Sequence, residues 1–219
     1  MPASPAPFRT IARRTSEELV PEGKASSPAW REIPRLSLVD TVTTETPSAE
    51  SLTQVGVQWS PSLFYVAFWC RYSALNLYRD EDPRKERWQL WNRDVVEVFV
   101  NPFPENPHRY WEFEVAPNNQ WIDLVVDNRE TIALDASWDS GFSHATAIDE
   151  AAKIWFCEMG LPAASMGVSR IEPGMEWRIN FYRCDGFGDD SQRSFLAWSP
   201  TLRRNFHIPD RFGWIRIED

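Results

Sequence analysis

The segment Trp88-Gln89-Leu90-Trp91-Asn92-Arg93-Asp94-Val95-Val96-Glu97-Val98-Phe99-Val100 sets indoles, an arginine and carboxylates directly beside a β-branched run. As a strand it places Val96, Val98 and Val100 on one face and Val95, Glu97 and Phe99 on the other. An unpaired carboxylate buried among apolar groups costs several kcal/mol, so Glu97 needs a partner or a wet groove. A charge-assisted pair with Arg93, Arg178 or Arg183 would satisfy it and fix a loop. A flat indole such as Trp91 beside a fixed carboxylate also suits a ligand with apolar ring faces and hydroxyl edges, and sugars are that class. The plainer reading of Trp91 is an ordinary indole at the rim of a sheet.

Glu112 and Glu114 lie two apart in Tyr110-Trp111-Glu112-Phe113-Glu114-Val115, roughly 7 Å from strand rise alone. That separation suits an acid/base pair for glycoside hydrolysis. Nothing else in the chain builds a hydrolase cleft, so a solvated or arginine-paired strand face is the preferred reading and no catalytic residue is assigned. His108, His144 and His207 are scattered, without a nucleophile–base pair, zinc spacing or Gly-rich phosphate loop. Asp185-Gly186-Phe187-Gly188-Asp189-Asp190 is acidic enough for calcium, but turn chemistry explains it.

The elements that must position these residues read as strands. Leu36, Leu38 and Val39–Thr44 alternate; 54–59 and 63–70 form a hairpin across Ser60-Pro61-Ser62. Tyr110–Ala116 and Gln120–Val126 form a second hairpin across Pro117-Asn118-Asn119, with Ile122, Leu124 and Val126 expected inward and Trp121 and Asp123 opposite. Two strands fall around 138–160. In Trp177–Arg183 the residues Trp177, Ile179 and Phe181 point inward, Arg178, Asn180 and Tyr182 outward; Phe195–Trp198 and Gly213–Ile217 close the chain. Period-2 runs between turn signals, with no sustained helical period, predict an all-β fold: an antiparallel β-sandwich with long loops at 71–90 and 101–108. Tyr65, Trp69, Glu97, Tyr110, Glu112, Glu114, Trp121, Asp123, Arg178 and Asn180 all fall opposite apolar partners, which predicts one mixed aromatic and charged sheet surface. Residues 1–27 read as a loose lead, pinned by Trp30 to a sandwich over 28–219.

Composition bounds the rest. With 219 residues the chain suits one domain with a sizeable core, and its 12 Trp are too many to be core alone. A formal charge of −9 argues against nucleic acid; the basic clusters Arg84-Lys85-Glu86-Arg87 and Arg203-Arg204 read as solvated loops. Cys70, Cys157 and Cys184 read as small buried hydrophobes. No stretch is apolar enough to span a membrane. No basic segment followed by an apolar run opens the chain, which favours a cytoplasmic setting.

Several of these stretches, in order, resemble the family 9 carbohydrate-binding modules and their DOMON-like relatives. Trp91-Asn92-Arg93-Asp94-Val95-Val96-Glu97-Val98-Phe99 is similar to the family's Trp-x-x-Asp-x-Val-Glu-x-Phe signature, and Leu63–Phe68, Tyr110–Val115, Pro117–Asp123, Trp177–Arg183, Trp198–Thr201 and Phe206–Gly213 follow its order. The resemblance covers about residues 28–217. It implies a jelly-roll-like sandwich that holds a mono- or oligosaccharide between two aromatic rings, in a family that is often extracellular and whose better-known members carry structural calcium. By motif position Trp91 is one ring and Glu97 the acid on sugar hydroxyls. The second ring comes from the C-terminal loop, at Phe206 where the family has an indole, with Trp198 nearby. Glu112, Trp121, Arg178 and Asn180 complete the expected binding set. No calcium ligand can be carried over. Two other readings stay open: a haem or redox-cofactor binder, which would need Met159, Met166, Met175 or His207 as axial ligands and is not the favoured one, and a sandwich that docks another protein. Oligomeric state is not legible.

Overall fold

The computed structural model describes residues 6–79, 82 and 85–219; parts of the charged connection at 71–90 and of the basic cluster at 84–87 lie outside the described residues. The strands are β1 (Arg9–Arg14), β2 (Leu36–Ser37), β3 (Val39–Asp40), β4 (Thr53–Trp59), β5 (Leu63–Arg71), β6 (Val95–Asn101), β7 (Arg109–Val115), β8 (Trp121–Asp127), β9 (Ala133–Asp135), β10 (Ser143–Asp149), β11 (Ile154–Pro162), β12 (Glu176–Asp185), β13 (Ser194–Ala197) and β14 (Gly213–Glu218). Hydrogen bonds link them in the order β10-β11-β5-β4-β1-β14-β12-β6-β7-β8-β9. This curled sheet folds over itself as a β-sandwich.

The two halves meet through the alternate residues that the sequence pattern turns inward. Val55, Phe64, Phe68 and Trp155 from one half pack with Val96, Val98, Phe113, Trp177 and Phe181 from the other. Phe64 lies 5.4 Å from Trp177 and Phe68 lies 6.2 Å from Phe181, ring centre to ring centre. The cysteines are free and buried.

The expected single mixed surface is in fact divided: apart from Trp121 and Asp123, which turn inward, its residues fall on two opposite outer faces. Tyr65, Ala67, Trp69 and Phe156 form the outer face of β5 and β11, covered by Leu19, Trp30 and Ile33. Glu158, on β11, accepts hydrogen bonds from the amides of Glu22 (2.9 Å), Gly23 (2.7 Å) and Lys24 (3.3 Å) and from the Trp30 indole (2.6 Å). Gly23 has φ +70, and a Cβ there would stand 2.8 Å from the Thr146 carbonyl oxygen, so this close crossing requires glycine. Trp30 is thus the anchor its position suggests.

Within the stretch expected as a loose lead, Arg9–Arg14 is a strand. It runs parallel to β14 from Arg9 to Arg13 and to β4 at Arg13 and Arg14, which makes the sheet mixed rather than wholly antiparallel. Only Ala12 of this strand is buried. Backbone hydrogen bonds hold it, so no apolar alternation marks it in the sequence.

The facing of β8 is reversed from expectation. Tyr110, Glu112 and Glu114 pair with Val126, Leu124 and Ile122, so these apolar residues share the glutamates' face while Trp121 and Asp123 point into the sandwich. Both faces of β8 are buried, and hydrophobicity alone cannot choose between them. Asp123 survives inside because Ser140 donates to it from its amide (2.9 Å) and its hydroxyl. Glu86 stands beside it. Burial, then a hydrogen bond to Asp123 and repulsion from Asp123 and Asp139, raise the Glu86 carboxyl to about 7.

Two measurements check this packing. Phe181→Ala removes a fully buried ring at the sheet–sheet contact and should cost about 3–5 kcal/mol in chemical denaturation. Because the Glu86 carboxyl binds its proton more tightly in the folded chain than in the unfolded one, its contribution is present at low pH and is lost as pH rises through about 7. Lowering pH from about 8 to about 6 should therefore raise Tm, and Glu86→Gln should flatten that rise.

Candidate binding pocket

The outer face of β6, β7 and β12 carries Val95, Glu97 and Phe99, then Tyr110, Glu112 and Glu114, then Tyr182 and Cys184, all buried. Loops must cover it, and they leave a cavity of about 240 Å³, small beside the usual range of ligand pockets. Trp91, Asn92, Arg193, Phe195, Phe206 and His207 are among the residues that line it, and Glu97, Glu112 and Cys184 also reach it.

Trp91 stands on a short 3₁₀ turn, Leu90–Asn92. The turn begins from Gln89 at φ 62, a left-handed conformation costly for a residue with a side chain. Asp94 ties it down. One Asp94 carboxylate oxygen accepts from the Asn76 amide at 2.9 Å and the other from the Gly186 amide at 2.8 Å. Burial raises the Asp94 carboxyl to about 6, and these two amides offset part of the cost. Arg193 is the second tie. It donates to the carbonyls of Trp91 (2.9 Å) and Arg93 (2.8 Å), and its guanidinium lies over Phe195. The result is a half-buried indole with an exposed neighbour, Trp88, meeting it edge-on at 5.1 Å.

The part of the lining that carries Phe206 is assembled outward from β12. Asn180 donates to the Tyr182 hydroxyl (2.8 Å), Tyr182 donates to the Phe206 carbonyl (3.0 Å), and the Phe206 ring stacks on Tyr182 at 4.1 Å and 14°. His207 shares a 2.8 Å hydrogen bond with the Tyr110 hydroxyl, and burial lowers its imidazole to about 4, so it is neutral at physiological pH.

Three glutamates lie together at the base. Glu97 pairs across the strands with Glu114, and oxygens of Glu97, Glu112 and Glu114 all fall within 4.8 Å of one another. Burial pushes the Glu97 carboxyl well up, with repulsion from Glu112 adding to it; burial alone raises Glu112 to about 7; burial, then repulsion from Glu97 and Glu112, pushes Glu114 well up. Glu97 accepts a 3.5 Å contact from the Cys184 thiol. Its expected arginine partners are elsewhere: Arg93 donates to the Asn92 carbonyl, Arg183 pairs with Asp185 at 2.7 Å, and Arg178 donates to the Phe212 carbonyl at 3.0 Å.

Of the residues expected in the binding set, the pocket gathers Trp91, Glu97, Glu112 and Phe206. Trp121 packs inside against Phe142 and His144, each 5.5 Å away. Trp198 is buried in the main core beside Phe181. Arg178 donates to the carbonyls of Pro209 (2.9 Å) and Phe212 (2.7 Å), which fixes the loop carrying Phe206. Asn180 acts behind the wall, through Tyr182. Arg193 and Phe195 went unread because they sit in or beside a Gly/Asp-rich loop with no periodicity. Of the axial candidates for haem, Met159 and Met166 lie in the sandwich interior, Met175 packs against it, and His207 lines the pocket on the other side of the sheet. The acidic 185–190 loop does not gather its acids, since Asp185 pairs with Arg183 and Asp189 with Ser191. Among the described residues, the three glutamates are the group whose donor atoms could fit the calcium that the family resemblance implies.

Comparison with known proteins agrees with this architecture. A protein described as a candidate carbohydrate-binding protein from Bacteroides uniformis superposes with a TM-score of 0.77 at 18% identity, over 96% of this chain and 99% of that one. A family 9 carbohydrate-binding module from Caldicellulosiruptor kristjanssonii, solved with cellotriose, gives 0.68 at 15% identity over 96% and 93%. The same module with glucose gives 0.69 at 15% over 96% and 95%. An extracellular protein of Arthroderma benhamiae is 28% identical over 134 residues, which span 56% of this chain and 60% of that protein's length. The model of the carbohydrate family 9 binding domain-like family matches residues 22–219, and the chain belongs to that family.

Proposed function

We propose that this chain binds carbohydrate without transforming it, taking a single sugar ring, free or at a chain end, into the pocket bounded by Trp91 and Phe206. The observation that carries the reading is the meeting, in one cavity, of an indole from the 3₁₀ turn, a ring from the C-terminal loop and the carboxyls of Glu97 and Glu112. Sugar C–H faces pack on the rings, and hydroxyl edges meet the carboxyls and the neutral His207. Cellotriose and glucose in the related modules support a glucose-configured ligand as the first one to try. A cavity this small takes a ring rather than a length of chain.

Isothermal titration with glucose, cellobiose and cellotriose, read together with tryptophan fluorescence, tests this. Binding should be measurable for the wild type and weakened about tenfold or more in Trp91→Ala, the size expected for one lost stacking contact. Arg193→Ala should weaken it too, because the Trp91 carbonyl loses its donor. Absence of any response across a broad sugar panel, or undiminished binding in Trp91→Ala, would overturn the assignment.

A further inference from the structure

The three glutamates pose a problem that sugar binding does not solve. Each is at most 2% exposed. Both oxygens of Glu114 and Oε2 of Glu112 are sealed from water and meet no well-aligned hydrogen-bond donor, although the Trp91 amide and the Glu112 carboxyl stand beside Glu114. Their environment is otherwise apolar: Val95, Phe99, Leu124 and Tyr182 share the same cluster. The nearby cation, Arg193, is engaged by two backbone carbonyls and stands 3.5 Å from Asp190. Ionised carboxylates converging in so small a volume repel one another unless protons or a bound cation neutralise them.

We propose that Glu97, Glu112 and Glu114 form a site for a hard divalent cation, with Ca²⁺ as the best fit. Carboxylate oxygens are the donors such ions take, and a calcium shell of six to eight oxygens at about 2.3–2.6 Å can be completed by water or another oxygen ligand from the cavity, into which Glu97 and Glu112 open. Glu114 is the most deeply buried of the three and its oxygens lack an aligned donor, so the ion would seat against it and be reached from the pocket side. The site requires no sugar and stands whether or not one binds.

The test uses the full chain, stripped with chelator and titrated with CaCl₂ and MgCl₂ by calorimetry, with Tm followed in parallel. One Ca²⁺ per chain should bind, raise Tm and sensitise bound Tb³⁺ through the aromatic residues around the pocket. Glu114→Gln and Glu112→Gln, each checked for folding by its own melt, should weaken Ca²⁺ binding about tenfold or more, while Glu130→Gln on the exposed surface should leave it unchanged. A wild type that gives neither heat nor a Tm shift with Ca²⁺ would overturn the proposal and leave shared protons as the source of neutrality. Unchanged affinity in both pocket variants would overturn it as well, by placing the ion elsewhere.

Discussion

Everything about the pocket follows from the central strands having two buried faces. The inner face of β6, β7 and β12 makes the sandwich core. The outer face is nearly as apolar, with Val95, Phe99, Tyr110 and Tyr182 on it, and it cannot be left to water without exposing a large hydrophobic patch. Loops from three parts of the chain are therefore drawn over it, and each needs polar fastening because irregular backbone leaves some of its amides and carbonyls without backbone partners. Asp94, Arg193, Asn180 and Arg178 supply that fastening. The cavity is the volume that these covering loops leave open.

The fold was largely legible because its strongest signal is local. Alternation in Leu63–Arg71, Val95–Asn101 and Glu176–Asp185 follows from one side of each strand meeting the opposite half-sheet. Legibility failed where that asymmetry is absent. The residues Ile122, Leu124 and Val126 look like a core face and are buried, but against loops rather than within the sandwich. Strand β1, with four charged or polar residues around Ala12, is held by its neighbours' backbone and carries no pattern of its own.

The candidate site was half legible for a related reason. Trp91, Glu97 and Glu112 belong to or adjoin patterned strands, so their faces could be read. Arg193 and Phe195 depend on where a loop returns to the sheet, and that is a tertiary fact. Trp121 and Trp198 show the opposite error: abundant indoles invite a binding role, yet Trp198 fills the interior and the half-buried Trp121 packs against it. Asn180 and Arg178 were assigned to ligand contact and instead hold the parts that line the pocket.

The strand β1 leaves one partner for another along its length: its first residues lie on β14, its last on β4. It is therefore a seam between two half-sheets whose adjoining edges would otherwise present rows of unpaired amides and carbonyls. Such edges invite pairing with other polypeptides. Six residues with little hydrophobic content thus cover two borders at once, and trimming or displacing them would bare the adjoining edges of β4 and β14 together.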